Sequence, residues 1–309
     1  MKKRFIVTFI LSLVAFTILY STLWYKVFDK ETVAAPGDDT EMEDDVLDDK
    51  YELPVDNEIV FLMMGVDAKD VKQSKGTRTD TMMLFKVNFD TGKIDILSIP
   101  RDSRVLVRGK EDKINHAHAF GGPSLTIRTV EDFLGIDLNY YVKVDYKAVK
   151  SIVDAIGGVE IEVPQRMRYS DPTADPPLNI NLQPGLQTLD GNQAHDFLRF
   201  RSYREGDLGR ISAQQYFMKE LIKQTLQLKN IVKLPGLVET YFDYVETNIP
   251  MGMVLKGIGA AKNMDTENMT TTTIEGTSKR IGGIDYLIYD RESTEALVQE
   301  MFGDYLLKQ

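Results

Sequence analysis

The chain contains no cysteine and only three histidines among its 309 residues. A chain without cysteine has no disulfides, so its fold must rest on its own hydrophobic core. The histidines are His116, His118 and His195, and they form no His-x-x-x-His or Cys/His pattern of the kind that binds zinc. We predict that His116 and His118 lie in a loop, and we expect them to make local hydrogen bonds rather than to ligate a metal.

Two common signatures of catalysis are also absent. No G-x-x-x-x-G-K-[ST] loop occurs, which argues against a nucleotide-binding P-loop. Ser98 and Ser103 flank Pro100-Arg101-Asp102 without a nucleophile-elbow pattern, so a serine hydrolase is not indicated. No internal repeat is evident, and the chain is acidic, with a formal net charge of −10.

A long apolar segment is present near the N-terminus. Residues 5–24 carry no charge and follow Lys2, Lys3 and Arg4. About 20 apolar residues of helix span a bilayer, and flanking positive residues stay in the cytoplasm. We predict a cytoplasmic tail at 1–4, an uncleaved single transmembrane helix at 5–25 and an extracellular location for the rest. The alternative is a cleaved signal peptide, but the nearest small-residue site, Val33-Ala34-Ala35, comes too far past the apolar run.

The segment after the anchor, residues 26–56, is predicted to be an acidic extracellular linker. It is crowded with carboxylates and has few apolar residues, so it should stay extended by self-repulsion. Residues 57–309 are enough for one large domain with a substantial core. An exported acidic domain of this kind is not expected to bind nucleic acid.

Within this domain, short apolar runs alternate with segments of helical spacing. Strands are predicted at 59–64, 81–89, 93–99, 140–144, 159–163 and 269–274, with a turn at 90–93. Helices are predicted at 124–134, 146–156, 189–198, 208–228, 231–245, 251–262 and 291–302. Interleaved strands and helices predict an α/β layered domain.

The order of the first three strands has a geometric consequence. If they form an antiparallel meander, the first strand ends near Asp67, and the loop after it returns the chain to Asp80. The third strand then comes back and delivers Arg101. Asp67, Arg78, Asp80 and Arg101 are therefore predicted to meet at one rim of the sheet.

Eleven of the fourteen arginines lie between Arg78 and Arg210. The guanidinium group offers phosphate a planar fork of donors, so this concentration suggests an anion site. We expect a helix to end near residue 198, so that Leu198 and Phe200 pack inward. Arg199 and Arg201 then share one face of an extended segment. Arg210 and Gln214 are four apart on the long helix and share a side. The alternative is a solvated surface with scattered ion pairs, and the arginines alone do not decide between the two.

Asp67 and Asp80 are the candidate metal ligands. Two carboxylates at one rim can share Mg²⁺ or Mn²⁺, which take oxygen ligands and leave positions for substrate phosphates. The alternative is that each aspartate caps a turn or pairs with Arg78, and spacing alone favours that alternative.

Several short motifs occur in order along the chain. They are Gly65-Val66-Asp67, Arg78-Thr79-Asp80-Thr81, Ser98-Ile99-Pro100-Arg101-Asp102, Asp112-Lys113-Ile114-Asn115, Asp154-Ala155-Ile156-Gly157-Gly158-Val159, Leu189-Asp190-Gly191, Arg199-Phe200-Arg201, and Gly206-Asp207-Leu208-Gly209-Arg210 followed by Gln214-Gln215. Together with the N-terminal anchor, this set closely resembles the LytR-CpsA-Psr family of bacterial cell-envelope proteins, most strongly over 60–215. One departure is His195-Asp196-Phe197, where relatives more often have a leucine and an aromatic residue.

The resemblance implies an α/β/α sandwich with a mixed central sheet. It also implies a phosphotransferase that moves an anionic glycopolymer, such as teichoic acid or capsule, from a polyprenyl-pyrophosphate carrier to peptidoglycan. Asp67 and Asp80 would be the metal carboxylates, and Arg101 would stabilise charge at the reacting phosphoryl group. The implied pyrophosphate cradle consists of Arg78, Arg101, Arg199, Arg201, Arg210 and Gln214. A hydrophobic tunnel lined by the Met- and Leu-rich strands would hold the polyprenyl chain.

Two rival functions fit the same residues. A polyprenyl-pyrophosphate hydrolase would use water as the acceptor, and a non-catalytic envelope regulator or glycan-binding protein would bind without turnover. Substitution of Asp80 or Arg101 separates an enzyme from a binder, and the identity of the product separates a transferase from a hydrolase. The other arginines of the stretch are expected at the surface, namely Arg104, Arg108, Arg128, Arg166, Arg168 and Arg204.

Overall fold

The structure is a computed structural model that describes residues 55, 57–66, 71, 74, 76–173, 177–204, 206–231 and 244–307. These residues belong to one unit, Asp49–Gln309. The predicted cytoplasmic tail, the predicted anchor at 5–25 and the linker at 26–56, except residue 55, lie outside the described residues. Among the residues that are described, no helix has the length and apolar character needed to cross a membrane.

The strands are short and spread along the whole domain. They are β1 (Glu58–Val66), β2 (Thr79–Asn88), β3 (Ile94–Ser98), β4 (Arg104–Val107), β5 (Lys110–Lys113), β6 (Tyr140–Val144), β7 (Val159–Val163), β8 (Met167–Asp171), β9 (Leu178–Leu182), β10 (Gly185–Leu189), β11 (Val245–Thr247), β12 (Thr270–Thr273), β13 (Gly276–Ile281) and β14 (Ile284–Tyr289). The helices are α1 (His116–Leu134), α2 (Tyr146–Ile156), α3 (Gly191–Arg199), α4 (Asp207–Thr225), α5 (Leu228–Ile231), α6 (Met251–Ala260) and α7 (Arg291–Phe302).

Six strands form a mixed central sheet in the order β11-β6-β1-β2-β3-β12. Strands β1, β2 and β3 form an antiparallel meander, in which Leu62 lies opposite Leu84 and Leu84 lies opposite Leu97. Strand β6 is parallel to β1, β12 is parallel to β3, and β11 is antiparallel to β6. The predicted meander is confirmed, and so is a mixed α/β fold with a mixed central sheet.

Side chains alternate along β2 and divide the core between the two faces of this sheet. On one face, Leu84 belongs to a buried cluster that includes Val130 of α1 and Phe302 of α7. On the other face, Met83 belongs to a cluster with Met218 of α4 packed against it. Helices therefore cover both faces, and we refer to these as the α1 face and the α4 face.

A further buried cluster joins α2, α3 and α4 to two small ribbons. Strand β7 pairs with β10 and β8 pairs with β9, both antiparallel. Phe197 of α3 and Phe217 of α4 are buried here, with ring centroids 5.8 Å apart. Helix α3 begins after Asp190, which forms a capping box with Gln193 and so satisfies backbone donors of the first turn. The cluster fixes the helix ends that carry the clustered arginines.

The region around His116 and His118 corrects one sequence-based expectation. A loop is predicted there, but α1 already begins at His116 and continues past Gly121 and Gly122, whose backbone angles are not helical. The loop prediction is wrong for residues 116–120, which are helical, but Gly121 and Gly122 do interrupt the helix, and the predicted helix at 124–134 follows this interruption. The helix predicted at 231–245 falls largely outside the described residues. The hairpins β4–β5 and β13–β14 were not predicted.

Candidate active site

Asp80 lies at a β-bulge near the start of β2. Gly65 pairs with Thr81, whereas the next residue of β1, Val66, pairs with Thr79, so Asp80 is an extra residue in the ladder. Strict alternation would place Asp80 and Thr81 on opposite faces of the sheet. A bulge can re-aim a side chain locally, and here both residues line the same cavity.

Two arginines contact the Asp80 carboxylate. Arg101 Nη1 donates to Asp80 Oδ1 at 2.6 Å, and Arg201 Nη2 lies 3.5 Å from Asp80 Oδ2. Arg101 follows β3, so the antiparallel pairing of β2 with β3 brings it to Asp80. The side chains of Asp80 and Arg101 are 20% and 23% exposed, which shields the pair from bulk water but leaves it open to a ligand. The structure therefore brings these two residues together as the strand order predicts.

The segment that carries Arg101 is supported by the motif at 112–115. Asn115 N donates to Arg101 O at 3.3 Å, and Lys113 Nζ donates to Asp102 Oδ1 at 2.6 Å. Arg101 Nε in turn lies 3.8 Å from Asp102 Oδ2. Residues 113 and 115 thus position the loop that carries Arg101, a role that the order of motifs alone does not reveal.

Arg199 and Arg201 flank a buried phenylalanine. Helix α3 ends at Arg199, and Phe200 has an extended backbone and is only 3% exposed, so its predicted inward packing is confirmed. The Arg199 guanidinium carbon lies 5.8 Å from the centroid of the Tyr146 ring. The His195 ring packs edge-on against the same ring, with centroids 4.9 Å apart. His195 therefore supports the aromatic side chain on which Arg199 rests.

Arg210 and Gln214 are buried on one side of α4, with 4% and 7% exposure. Thr81 Oγ1 donates to Gln214 Oε1 at 3.1 Å, which ties the helix to β2 beside the bulge. Gln215 Nε2 donates to Ser98 Oγ at 2.8 Å and ties the same helix to β3. The alternative of a solvated face is wrong for Arg210 and Gln214, because the first turns of α4 pack on the sheet.

An apolar cavity opens beside Asp80, with about 470 Å³ of empty space including its solvent-open mouth. Its polar edge is formed by Asp80, Thr81 and Gln214. The apolar lining comes from two central strands, from β6 and from helices α2, α3 and α4, and it includes Met63, Gly65, Met83, Val144, Val149, Leu198 and Met218. A carboxylate–guanidinium cluster therefore adjoins a space suited to a hydrocarbon chain.

A sequence profile of the LytR_cpsA_psr family matches residues 23–303. The chain belongs to the LytR-CpsA-Psr family. The polyisoprenyl-teichoic acid–peptidoglycan teichoic acid transferase TagU of Oceanobacillus iheyensis is 32% identical to it, over 79% of this chain and 75% of TagU. The prediction that the chain is an enzyme of the transferase class is confirmed by such relatives.

Solved structures of LytR-CpsA-Psr relatives share the fold. The crystal structure of TagV from Bacillus subtilis is 29% identical, with a TM-score of 0.67, and the match covers 79% of this chain and 96% of TagV. A structure of TagT bound to LIIa-WTA is 25% identical, with a TM-score of 0.66, over 84% of this chain and 95% of TagT. The mixed sheet described above is therefore the fold of this family.

The metal site expected for a LytR-CpsA-Psr protein is only partly described. Asp67 lies outside the described residues, and within the described ranges no group of three or more His, Asp or Glu side chains could hold a metal. Asp80 by itself fits a hard cation, because each carboxylate oxygen has two lone pairs and can accept more than one partner. Arg78 is exposed directly before β2.

On the α1 face, His118 contacts the segment that leads to Asp80. His118 Nδ1 lies 2.8 Å from Thr77 O, and because a carbonyl only accepts hydrogen bonds, this nitrogen carries the proton. Burial lowers the pKa of His118, and the positive charge of Lys143 lowers it further. A neutral imidazole therefore anchors residue 77, three positions before Asp80.

Sequence reasoning missed the residues that α2 brings to the cavity. Asp145 and Tyr146 follow β6 and line the cavity, and Asp145 Oδ1 accepts from Ala148 N at 2.9 Å to cap the helix. Residues that follow parallel strands gather at the same edge of a sheet, so the predicted strand at 140–144 was the available signal. The pairing of β6 with β1 is what places Asp145 and Tyr146 beside the cavity, and this pairing is seen only in the structure.

Proposed function

We propose that this protein transfers an anionic glycopolymer, of teichoic acid or capsule type, from a polyprenyl-pyrophosphate carrier to peptidoglycan. The observation that carries the proposal is the Asp80–Arg101 pair at the edge of an apolar cavity. A lipid pyrophosphate has the same two parts, a phosphate head that arginine recognises and a hydrocarbon tail that avoids water. The relatives named teichoic acid transferases support the substrate class.

The donor would bind with its prenyl chain in the cavity. Met83 and Met218 border that space, and flexible thioether side chains adapt to an irregular hydrocarbon chain. The pyrophosphate would lie at the polar edge, where Arg101 and Arg201 already converge on Asp80. Arg78, Arg199, Arg210 and Gln214 complete the proposed cradle.

The proposed reaction is a single phosphoryl transfer. An acceptor hydroxyl oxygen of peptidoglycan attacks the phosphorus that carries the sugar, and a new P–O bond forms. The bond from that phosphorus to the bridging oxygen breaks, and polyprenyl phosphate leaves with the bonding electrons while the hydroxyl proton is lost to solvent. Charge shifts towards the leaving oxygen, and Arg101 is placed to stabilise it with fixed donors. Positioning and charge stabilisation supply most of the acceleration in such transfers.

The proposal includes a divalent metal, Mg²⁺ or Mn²⁺, held by Asp67 and Asp80. When bound, the metal would neutralise charge on the pyrophosphate. The bond from Arg101 keeps the Asp80 carboxylate oriented, so the ligand would be preformed. The catalytic residues of the proposal are therefore Arg101, Asp67 and Asp80.

The proposal also places the protein in the cell membrane, with the catalytic domain on the envelope side. The supporting observation is the uncharged stretch at 5–24 behind three basic residues. A single-pass anchor would keep the domain near a carrier lipid that resides in the same bilayer.

The test is turnover by the full-length protein in detergent or vesicles. It would be supplied with a polyprenyl-pyrophosphate-linked glycopolymer, peptidoglycan strands and Mg²⁺, and the glycan product would be analysed by mass spectrometry. Arg101→Ala should lower transfer by about 10²–10³-fold, the range seen when one transition-state donor is removed. Arg291→Ala is the matched control, because Arg291 forms an exposed ion pair with Glu295 and should change transfer less than about twofold.

Three results would count against the proposal. Full transfer by Arg101→Ala would remove the arginine from the reaction. Free sugar phosphate without polymer on the glycan would favour the hydrolase, and no turnover with intact binding would favour a regulator or glycan-binding protein.

A further inference from the structure

We propose that a second cavity, whose lining residue Asp102 contacts Arg101, binds the neutral glycan that supplies the acceptor hydroxyl. This inference rests on the proposed function and extends it to the second substrate. The cavity has about 400 Å³ of empty space including its solvent-open mouth. It is lined by the loop after β3, by α4 and by the β13–β14 hairpin, through residues that include Pro100, Asp102, Ile211, Ser278, Asp285 and Tyr286.

Arg101 contacts one carboxylate from the lining of each cavity. Its Nη1 donates to the carboxylate of Asp80, which lines the apolar cavity, at 2.6 Å. Its Nε lies 3.8 Å from the carboxylate of Asp102, which lines the second cavity. A ligand in each cavity would therefore approach the same guanidinium group, as a donor and an acceptor must in a direct transfer.

The chemistry of the second cavity favours a neutral hydroxylated ligand. Asp102 and Asp285 each have a cationic partner outside the lining, Lys113 at 2.6 Å and Arg280 at 3.8 Å. The described residues that line the cavity include no lysine or arginine to bind a polymer rich in phosphate. Carboxylates and the hydroxyl of Ser278 accept hydrogen bonds from sugar hydroxyl groups. Pro100 and Ile211 add apolar surface for the C–H face of a sugar ring. The anionic polymer of the donor is the poorer fit, and a sugar of the acceptor glycan is the better one.

The cavity wall is fixed to the reacting loop. Leu287 N donates to Asp102 O at 2.8 Å, and Ser103 forms a β-bridge with Leu287. The ring of Tyr286 lies under the Arg104 guanidinium, 5.7 Å from ring centroid to guanidinium carbon. A glycan held by the hairpin would thus be held at a constant distance from Arg101, which is the condition for orienting an attacking oxygen.

The test fills the second cavity with a large side chain placed on the β13–β14 hairpin. Ser278→Trp in the full-length protein would fill the space, whereas Thr277→Trp, on the opposite side of the same strand, is the matched control. Both positions are exposed, so both variants should fold, and thermal unfolding would check this. Ser278→Trp should raise KM for peptidoglycan strands by about tenfold and lower the ratio of transfer to hydrolysis by a similar factor. The Kd for the polyprenyl-pyrophosphate donor should stay within about twofold, and Thr277→Trp should match wild type.

A second variant tests hydrogen bonding to the glycan without adding bulk to the cavity. Asp285→Ala removes one acceptor of hydrogen bonds and should raise KM for the glycan about threefold without changing the donor Kd. An unchanged KM in both variants, or an equal loss of donor affinity, would overturn the inference while wild-type transfer still stands. If the wild-type protein turns over no lipid pyrophosphate at all, the proposed function fails and the inference fails with it.

Discussion

The α1 face and the α4 face of the central sheet are built from the same strands but are packed differently. The α1 face carries a continuous buried cluster and is called the solid face, whereas the α4 face borders the apolar cavity and is called the hollow face. Leu84 and Met83 are neighbours on β2 and are both buried, but they belong to different clusters. Methionine content does not separate the faces, because Met64 and Met82 lie in the solid cluster. What differs is the presence of small residues at the rim of the α4 face, where Gly65 and Thr81 line the cavity.

One sheet can therefore stabilise the fold through one face and leave space for a ligand beside the other. Helices α1 and α7 pack on the solid face in one continuous buried cluster. The free energy gained by this apolar burial offsets the packing contacts that the cavity on the other face lacks. Gly65 cannot be enlarged freely, because an added Cβ would lie 3.1 Å from Thr81 Cβ. The space beside Asp80 therefore depends on the close approach of β1 and β2 at the bulge.

The largest expected effect tests the solid face. Leu84→Ala should lower the free energy of unfolding by about 2–5 kcal/mol, because it leaves a void in a closed cluster. Met83→Ala, the matched variant on the hollow face, should cost at least about 1 kcal/mol less, since a side chain that borders empty space has fewer contacts to lose. Urea unfolding of the full-length protein in detergent measures both. Equal losses would show that the two faces are packed alike.

A smaller effect is expected from filling the hollow face. Met218→Trp should raise KM for a long-chain polyprenyl donor by about tenfold, because the ring would occupy space needed by the chain. A donor with a short prenyl chain should be affected much less. Leu255→Trp is the control, since Leu255 is 54% exposed on α6 and does not line the cavity. An equal rise in KM for long-chain and short-chain donors would show that the prenyl chain does not occupy this cavity.

The smallest effect concerns the one histidine buried in the α1 face. The pKa of His118 lies below its ordinary value of 6.5 in the folded protein, mainly because of burial. As the pH falls through about 6.5, the unfolded chain binds a proton that the folded chain does not, so stability is full above this pH and is lost below it. Between pH 7.5 and 5.5 the loss should be on the order of 1 kcal/mol.

The control for this titration is His118→Asn. The variant should show a flatter pH dependence of the unfolding midpoint over the same range, although Lys143 and Glu246 remain nearby. An unchanged slope in the variant would mean that another group carries the pH dependence.

Much of the site followed from strand order. An antiparallel meander with a tight turn at 90–93 places the start of the second strand beside the end of the third, and Asp80 and Arg101 do meet there. The burial of Phe200 between two arginines also followed, because an extended segment alternates its faces. The metal pairing of Asp67 with Asp80 stays a prediction.

Other features could not be derived from local pattern. The bulge at Asp80 depends on the register of β1 against β2, which is a property of the two strands together and not of any single residue. The position of Tyr146 under Arg199 requires β6 to insert beside β1. Strand β6 begins 74 positions after β1 ends, and Tyr146 and Arg199 are 53 positions apart. The β13–β14 hairpin reaches the loop at Asp102 and Ser103 from near the C-terminus, through a backbone hydrogen bond and a β-bridge at Leu287.

The sequence by itself determined the family, the α/β alternation, the meander and the set of residues that could bind a phosphate. Those features rest on local periodicity and on residue chemistry, which the chain carries at every point. Only the tertiary structure decided which face of the sheet is hollow, which arginines are buried and that Arg101 lies between Asp80 and Asp102, which line two different cavities. These depend on contacts between residues far apart in the chain, and such contacts are set by packing of the whole domain rather than by any one segment.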